Sequence, residues 1–307
     1  MQVKLSWDEQ LTNNTTEIHD FNWARHFSKV NRKSLDQVDK DGNPLIYKVG
    51  IKQSNDNVSQ SAIDTLIYTA SNGYVTARAV KAWHRARLKM LKREGVSLKQ
   101  LSPYSRQLRF PLVQGTPNYD SRLNRGEWTN TKISVESPLD SATGTGYLRA
   151  ADIVDTYTLT LCGDHVKETS TVGEQKYTSV GIIASWLNAR RKTVGTSVDG
   201  SDEEAIDHET NPLYNLLSGT MASEEVLEIV EESQKEEPPY SPTDDEHRDM
   251  QFQGSMYSSQ HQADYTIIEC PAGLMRAVIT DQNADGGGSA PQVRWEIELL
   301  DVYPMSA

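Results

Sequence analysis

The chain has 307 residues, 36% of them hydrophobic, with a formal net charge of −12. No apolar run approaches the ~18 residues that a membrane-spanning helix requires, and the opening Met1 to Asp8 has no apolar signal core, so a cleaved secretory signal is not expected. The length admits one elaborated β-domain or two small ones.

Period-two alternation, the mark of a half-buried strand, begins at Val3 and Leu5. Asn22 and its neighbours read as a strand. The turn dipeptide Asp41-Gly42 precedes a run in which Leu45, Tyr47, Val49 and Ile51 alternate. Leu66-Ile67-Tyr68 follows. Further runs are 131–136, 154–161, 250–256, 263–270 and 274–280, and the last strand, Val293 to Leu299, alternates without a break. Nine or ten strands result. That suits one eight-stranded jelly roll with extras better than two fused ones.

Three helices interrupt the strands. Residues 76–94 place Val80, Trp83, Arg87, Met90 and Leu91 at helical spacing, with Gly95 as a stop. Residues 180–191 end on Arg190-Arg191, which suits a helix C-terminus. Residues 223–235 open on Ser223, an N-cap, and set Val226, Ile229 and Val230 on one face. Residues 195–211, the proline-rich 236–242 and the glycine run 286–288 read as irregular.

Charge is segregated along the chain. Between Arg78 and Arg125 stand twelve Lys or Arg against two acids; between Asp199 and Asp249, seventeen Asp or Glu against two bases. The expected helix presents Arg78, Lys81, Arg85, Lys89, Lys92 and Arg93 opposite Trp83 and Met90. Lys99, Arg106, Arg109, Arg122 and Arg125 continue the sign, interleaved with Tyr104, Phe110, Tyr119 and Trp128. Cations that neutralise phosphates, beside rings on which bases stack, fit single-stranded nucleic acid. The bland reading is a solvated face. A third use is docking on the acidic block of a neighbouring copy. Trp83, Trp186 and Tyr240 are the expected anchors of the core or of subunit contacts.

Catalytic signatures are missing: there is no Gly-x-Ser-x-Gly, His-Glu-x-x-His, Walker loop or Cys-x-x-Cys. Gly144-Thr145-Gly146 lacks the context of a phosphate loop, and His247 stands in a solvated acidic stretch. Asp281, Asn283 and Asp285 with Gly286 reproduce the first half of a calcium loop, but Gln292 stands where a bidentate Glu belongs. A polar hairpin loop is the favoured reading, and weak calcium binding stays open. Cys162 and Cys270 read as buried free thiols, a disulfide being the alternative.

The chain ends resemble capsid proteins of small circular single-stranded DNA viruses. Val3-Lys4-Leu5-Ser6 resembles the first strand of such coats. Gly273-Leu274-Met275-Arg276 and the finish Trp295-Glu296-Ile297-Glu298-Leu299-Leu300-Asp301-Val302-Tyr303-Pro304-Met305 are similar to their closing strand pair. The resemblance implies one jelly-roll domain over 1–307 whose copies build an icosahedral shell around the genome, within the virion. The N-terminus lacks the Arg-rich arm of many such coats, so either the 78–125 block does that work from inside the shell or DNA contact is made by something else. The expectations are therefore a mainly β, single eight-stranded jelly-roll sandwich with helical and loop insertions at about 70–128 and 178–247 (alternative: a double jelly roll). The expected function is that of a major capsid protein, not an enzyme, with copies of itself and genomic nucleic acid as partners. An internal membrane stays open, and no small-molecule substrate or cofactor is expected. The alternative is a β-sandwich module that binds carbohydrate or a host receptor.

Overall fold

The computed structural model describes residues 3–12, 15–55, 62–93, 95–101, 106–114, 128–136, 154–163, 167–168, 177–194, 213, 250–259, 262–282 and 292–305. In chain order the elements are β1 (Lys4–Gln10), β2 (Thr16–Asn22), α1 (Trp23–Asn31), β3 (Leu45–Asn55), β4 (Ile63–Ala70), α2 (Tyr74–Arg93), β5 (Lys132–Glu136) and β6 (Val154–Thr160). They continue with β7 (Lys167–Glu168), β8 (Tyr177–Gly181), α3 (Ile182–Val194), β9 (Met250–Ser258), β10 (Asp264–Pro271), β11 (Leu274–Asp281) and β12 (Gln292–Pro304). The chain divides into two compact units: Met1–Ala77 with Gly115–Thr129 and Met250–Ala307, and Arg78–Gln114 with Asn130–Asp249.

The first unit is a β-sandwich. One antiparallel sheet runs β1-β12-β3-β10 and the other β2-β11-β4-β9. Alternation decides which side chains meet between them. Val293, Trp295, Ile297 and Leu299 of β12 are buried, as are Leu5 and Trp7 of β1. Trp7 pairs with Trp295, their rings stacked at 6.2 Å. From the other sheet, Phe21, Met275, Ala277, Ile279, Ile63 and Ile67 close the same core. Phe21 lies 5.8 Å from Trp7, 6.0 Å from Trp295 and 5.1 Å from Trp23, and so joins both sheets in one aromatic cluster. Truncating a buried Phe or Trp to Ala costs about 3–5 kcal/mol, so this cluster is a main contributor to sandwich stability.

The chain passes between sheets from β10 to β11 through Ala272 and Gly273, both with positive φ (54° and 68°), in a turn closed by the Gly273 amide donating to the Cys270 carbonyl at 2.9 Å. A Cβ on Gly273 would lie 3.0 Å from the Tyr47 ring and 3.1 Å from the Ala24 amide, so glycine is needed for space as well as for conformation. β3 is covered on its second face too: Ile46 packs with Ala77 and Met305.

The strand expected around Asn22 is β2, which ends at Asn22 and runs directly into α1. Asn22 is the N-cap, its side chain accepting from the Arg25 amide at 3.0 Å, and Arg32 ends the helix in the left-handed region. Trp23, Ala24 and Phe27 are buried.

At the edges of the two sheets, His19 of β2 is buried between two carboxylates. Its Nε2 lies 3.2 Å from Glu17 Oε2, and its Nδ1 lies 3.2 Å from Glu9 Oε1 of β1, off the line of a good hydrogen bond. Glu17 Oε1 also accepts from the Thr12 amide at 2.7 Å. Burial lowers the imidazole's pKa, against the pull of Glu17 and Asp20. Asp20 itself receives a bidentate bond from Arg276 of β11 at 2.7 and 2.9 Å.

The second unit holds a third sheet, β5-β6-β8-β7, in which β6 and β8 run parallel and the other pairs antiparallel. The runs at 131–136 and 154–161 form strands as expected, yet they pair with one another here and not in the sandwich. Alternation identifies a strand but not its partner. The expected helix at 180–191 begins slightly later, after β8, and the one at 223–235 lies outside the described residues.

Candidate nucleic-acid interface

α2 carries the basic residues on one side because their spacing follows the helical period. Arg78, Lys81, Arg85, Lys89 and Lys92 recur at three- and four-residue steps, which places them within a narrow arc over about 21 Å of helix. The opposite arc, Thr76, Ala79, Val80, Trp83, Ala86 and Arg87, is buried. Arg85 and Lys92 are exposed; Arg78, Lys81 and Lys89 are half-buried. Arg93 is the last residue of the helix.

Arg87 stands on the buried arc, as its apolar spacing anticipates, and is 7% exposed. It donates from Nη1 to the Arg106 carbonyl at 2.7 Å. Burial first, then the neighbouring Arg109 charge, hold its guanidinium below the ordinary arginine range. Arg106 is exposed.

Two of the expected contacts are corrected. Arg109 is 3% exposed, between the fully buried Leu108 and Phe110. Its amide donates to Thr131 Oγ1 at 3.0 Å, and its carbonyl accepts from the Thr131 amide at 2.7 Å. This segment is interior backbone, so the Arg109 side chain is not offered to a partner in solution, and Phe110 is not a stacking platform. The sign of the charge and the nearby ring are visible in the sequence, but the burial of the Leu-Arg-Phe triplet is not.

Trp83 and Trp186 belong to the core. Trp83 is fully buried and donates from Nε1 to Ser185 Oγ at 2.8 Å, and Trp186 is nearly so. Their burial within their own chain removes them as exposed anchors. Trp128 is partly buried against the sandwich core. Tyr240, Tyr104, Tyr119, Arg122 and Arg125 lie outside the described residues, as do Asn283 and Asp285 of the calcium-loop candidate. Asp281 ends β11 and is buried. Among the described residues, no three His, Cys, Asp or Glu gather as a metal site, and no helix is long and apolar enough to cross a membrane.

The arrangement offers a row of five cations on a rigid helix. Long side chains of this kind meet a phosphate backbone or an acidic protein surface by charge and reach, without selecting a base sequence. No protein-family model matches the chain, and no curated protein or solved structure matches it.

Proposed function

We propose that the chain is a viral major capsid protein, a single jelly roll carrying an inserted second unit, whose copies assemble into an icosahedral shell around a nucleic-acid genome. The observation that carries this reading is the strand order. Numbered along the sandwich alone, its strands run 1-8-3-6 in one sheet and 2-7-4-5 in the other. Pairing the first strand with the last, and nesting the others inside, is the pattern of two Greek keys wound into a jelly roll, the architecture of many viral coats. Lectin domains and cupins use the same architecture, so the fold alone does not select the function.

The basic row of α2 supports a polyanion partner, and we assign it to genome contact. A carbohydrate-binding sandwich would offer exposed tryptophan on a sheet face. Of the six tryptophans, five are buried and Trp128 is partly so, which favours the shell reading. The purified chain is expected to form large symmetric particles by negative-stain imaging and light scattering. A strictly monomeric species across salt and calcium conditions overturns the assignment.

A further inference from the structure

The sandwich has four edge strands, and three of them carry charges that guard against further pairing. β1 has Lys4, Asp8 and Glu9; β2 has Glu17 and Asp20; β10 has Asp264, Glu269 and a terminal Pro271. β9 reads Met-Gln-Phe-Gln-Gly-Ser-Met-Tyr-Ser, with neither charge nor proline over nine residues. An edge strand presents a row of backbone donors and acceptors, and charges or proline are the usual means of keeping other strands away.

Among the described residues β9 pairs only with β4. The Tyr257 amide points away from β4 and donates to Asp264 Oδ2 at 3.1 Å, which closes the last rung of the edge. By the two-residue period the Ser255 amide faces the same open side. Gln251, Phe252, Gln253 and Ser255 are exposed. Phe252 is 57% exposed and meets Tyr68 of β4 edge-on at 5.8 Å, so the outer face beside this edge is aromatic. A register shift opposite Ile67 and Tyr68 accommodates Gln253. Among the described residues, nothing lies within 4 Å of the position a Gly254 Cβ would take.

Charge indicates which strand fits. In a chain of net charge −12, contacts among copies of β1, β2 and β10 would bring acids together, whereas β9 meets its own copy without a charge on either side. A two-fold axis supplies that antiparallel arrangement, with each residue contributing twice. We propose that the open edge Met250–Ser255 receives the same segment of a second copy, antiparallel about a two-fold, so that the two β2-β11-β4-β9 sheets join into one eight-stranded sheet. The proposal rests on the self-assembly reading above and names one of its contacts.

The test places a guard on the edge. Gln253→Lys sets like charges close together across the axis, because an antiparallel Met250–Ser255 register is centred near this residue, and is expected to raise the concentration needed for association on the order of tenfold or more. Far-UV circular dichroism and the melting temperature should stay at wild-type values, since Gln253 is exposed; should they not, Gln251→Lys serves as the second variant. An equimolar mixture of Gln253→Lys and Gln253→Glu chains should restore association, measured by sedimentation velocity. Wild-type association of the lysine variants overturns the pairing and leaves the shell reading intact. Loss without rescue in the mixture overturns the two-fold pairing of this edge with its own copy. A wild type that stays monomeric overturns the shell reading and the pairing together.

Discussion

Replacing Arg85 and Lys89 by glutamine removes two of the five cations from the α2 row while leaving its buried arc, with Trp83 at the centre, untouched. If each cation neutralises one phosphate of a single strand, the logarithm of affinity falls with the logarithm of salt at a slope near −3.5, and the double variant near −2.1. Between 50 and 200 mM salt, wild-type affinity should then drop about 130-fold, and that of the variant only about 20-fold. Fluorescence anisotropy of a labelled oligonucleotide, titrated at several salt concentrations, measures both slopes. In parallel, Arg85→Glu with Lys89→Glu should give particles that assemble yet lose packaged nucleic acid, read from the ratio of absorbance at 260 and 280 nm. Equal slopes for wild type and variant refute genome contact through this row. Failure of the charge-reversed chain to assemble transfers the row to contact between copies.

Three further outcomes follow from an aspartate, a histidine and the two cysteines. Asp39 Oδ1 accepts from the Asp41 and Asn43 amides at 2.9 and 2.8 Å, and Oδ2 from Asn43 Nδ2 at 2.9 Å; burial pushes its pKa up, but these donors and the Gly42 amide together hold it below the ordinary value. Its stabilisation is therefore present above the ordinary Asp range and lost as pH falls through the folded value, so Asp39→Ala should cost about 1–2 kcal/mol at pH 7, and the gap to wild type should narrow near pH 3 in urea melts. For His19 the lowered pKa means that the unfolded chain binds its proton more readily, so stability falls as pH drops below about 6.5. His19→Gln, still facing Glu9, Glu17 and the Asp20–Arg276 pair, should lose less stability than wild type between pH 7.5 and 5.5; an unchanged gap refutes this. Cys162 and Cys270 are both buried and not joined by a disulfide, and burial pushes the Cys270 thiol up. Neither should react with a water-soluble disulfide reagent in the native protein, and both should react in denaturant.

Strands were legible wherever one face is wet. In β12 the period-two pattern places Val293, Trp295, Ile297 and Leu299 in the core with polar residues between them. α2 was legible because its two arcs differ so sharply, and even the inward position of Arg87 follows from spacing. α1 was not, because β2 runs into it without a break and the one signal is Asn22, whose capping role is set by backbone geometry. The partners of β5 and β6 were hidden for another reason. Alternation is a local property, whereas pairing is settled by which distant segments close the same core. Burial of Arg109 likewise depends on the Thr131 segment lying alongside it, a long-range contact.

The register Lys4↔Glu298 through Gln10↔Gln292 makes the first strand wait for the last. At ordinary synthesis rates of ~5–20 residues per second, β1 leaves the ribosome roughly 15 to 60 s before β12 exists to receive it. In that interval the apolar faces of β1 to β4 have no completed opposite sheet, while every residue of the second unit has already been made. Such non-local closure is slow and exposes nascent chains to mispairing. Cooler expression, or a chaperone that holds the amino-terminal half until translation terminates, should govern how much native material a cell recovers.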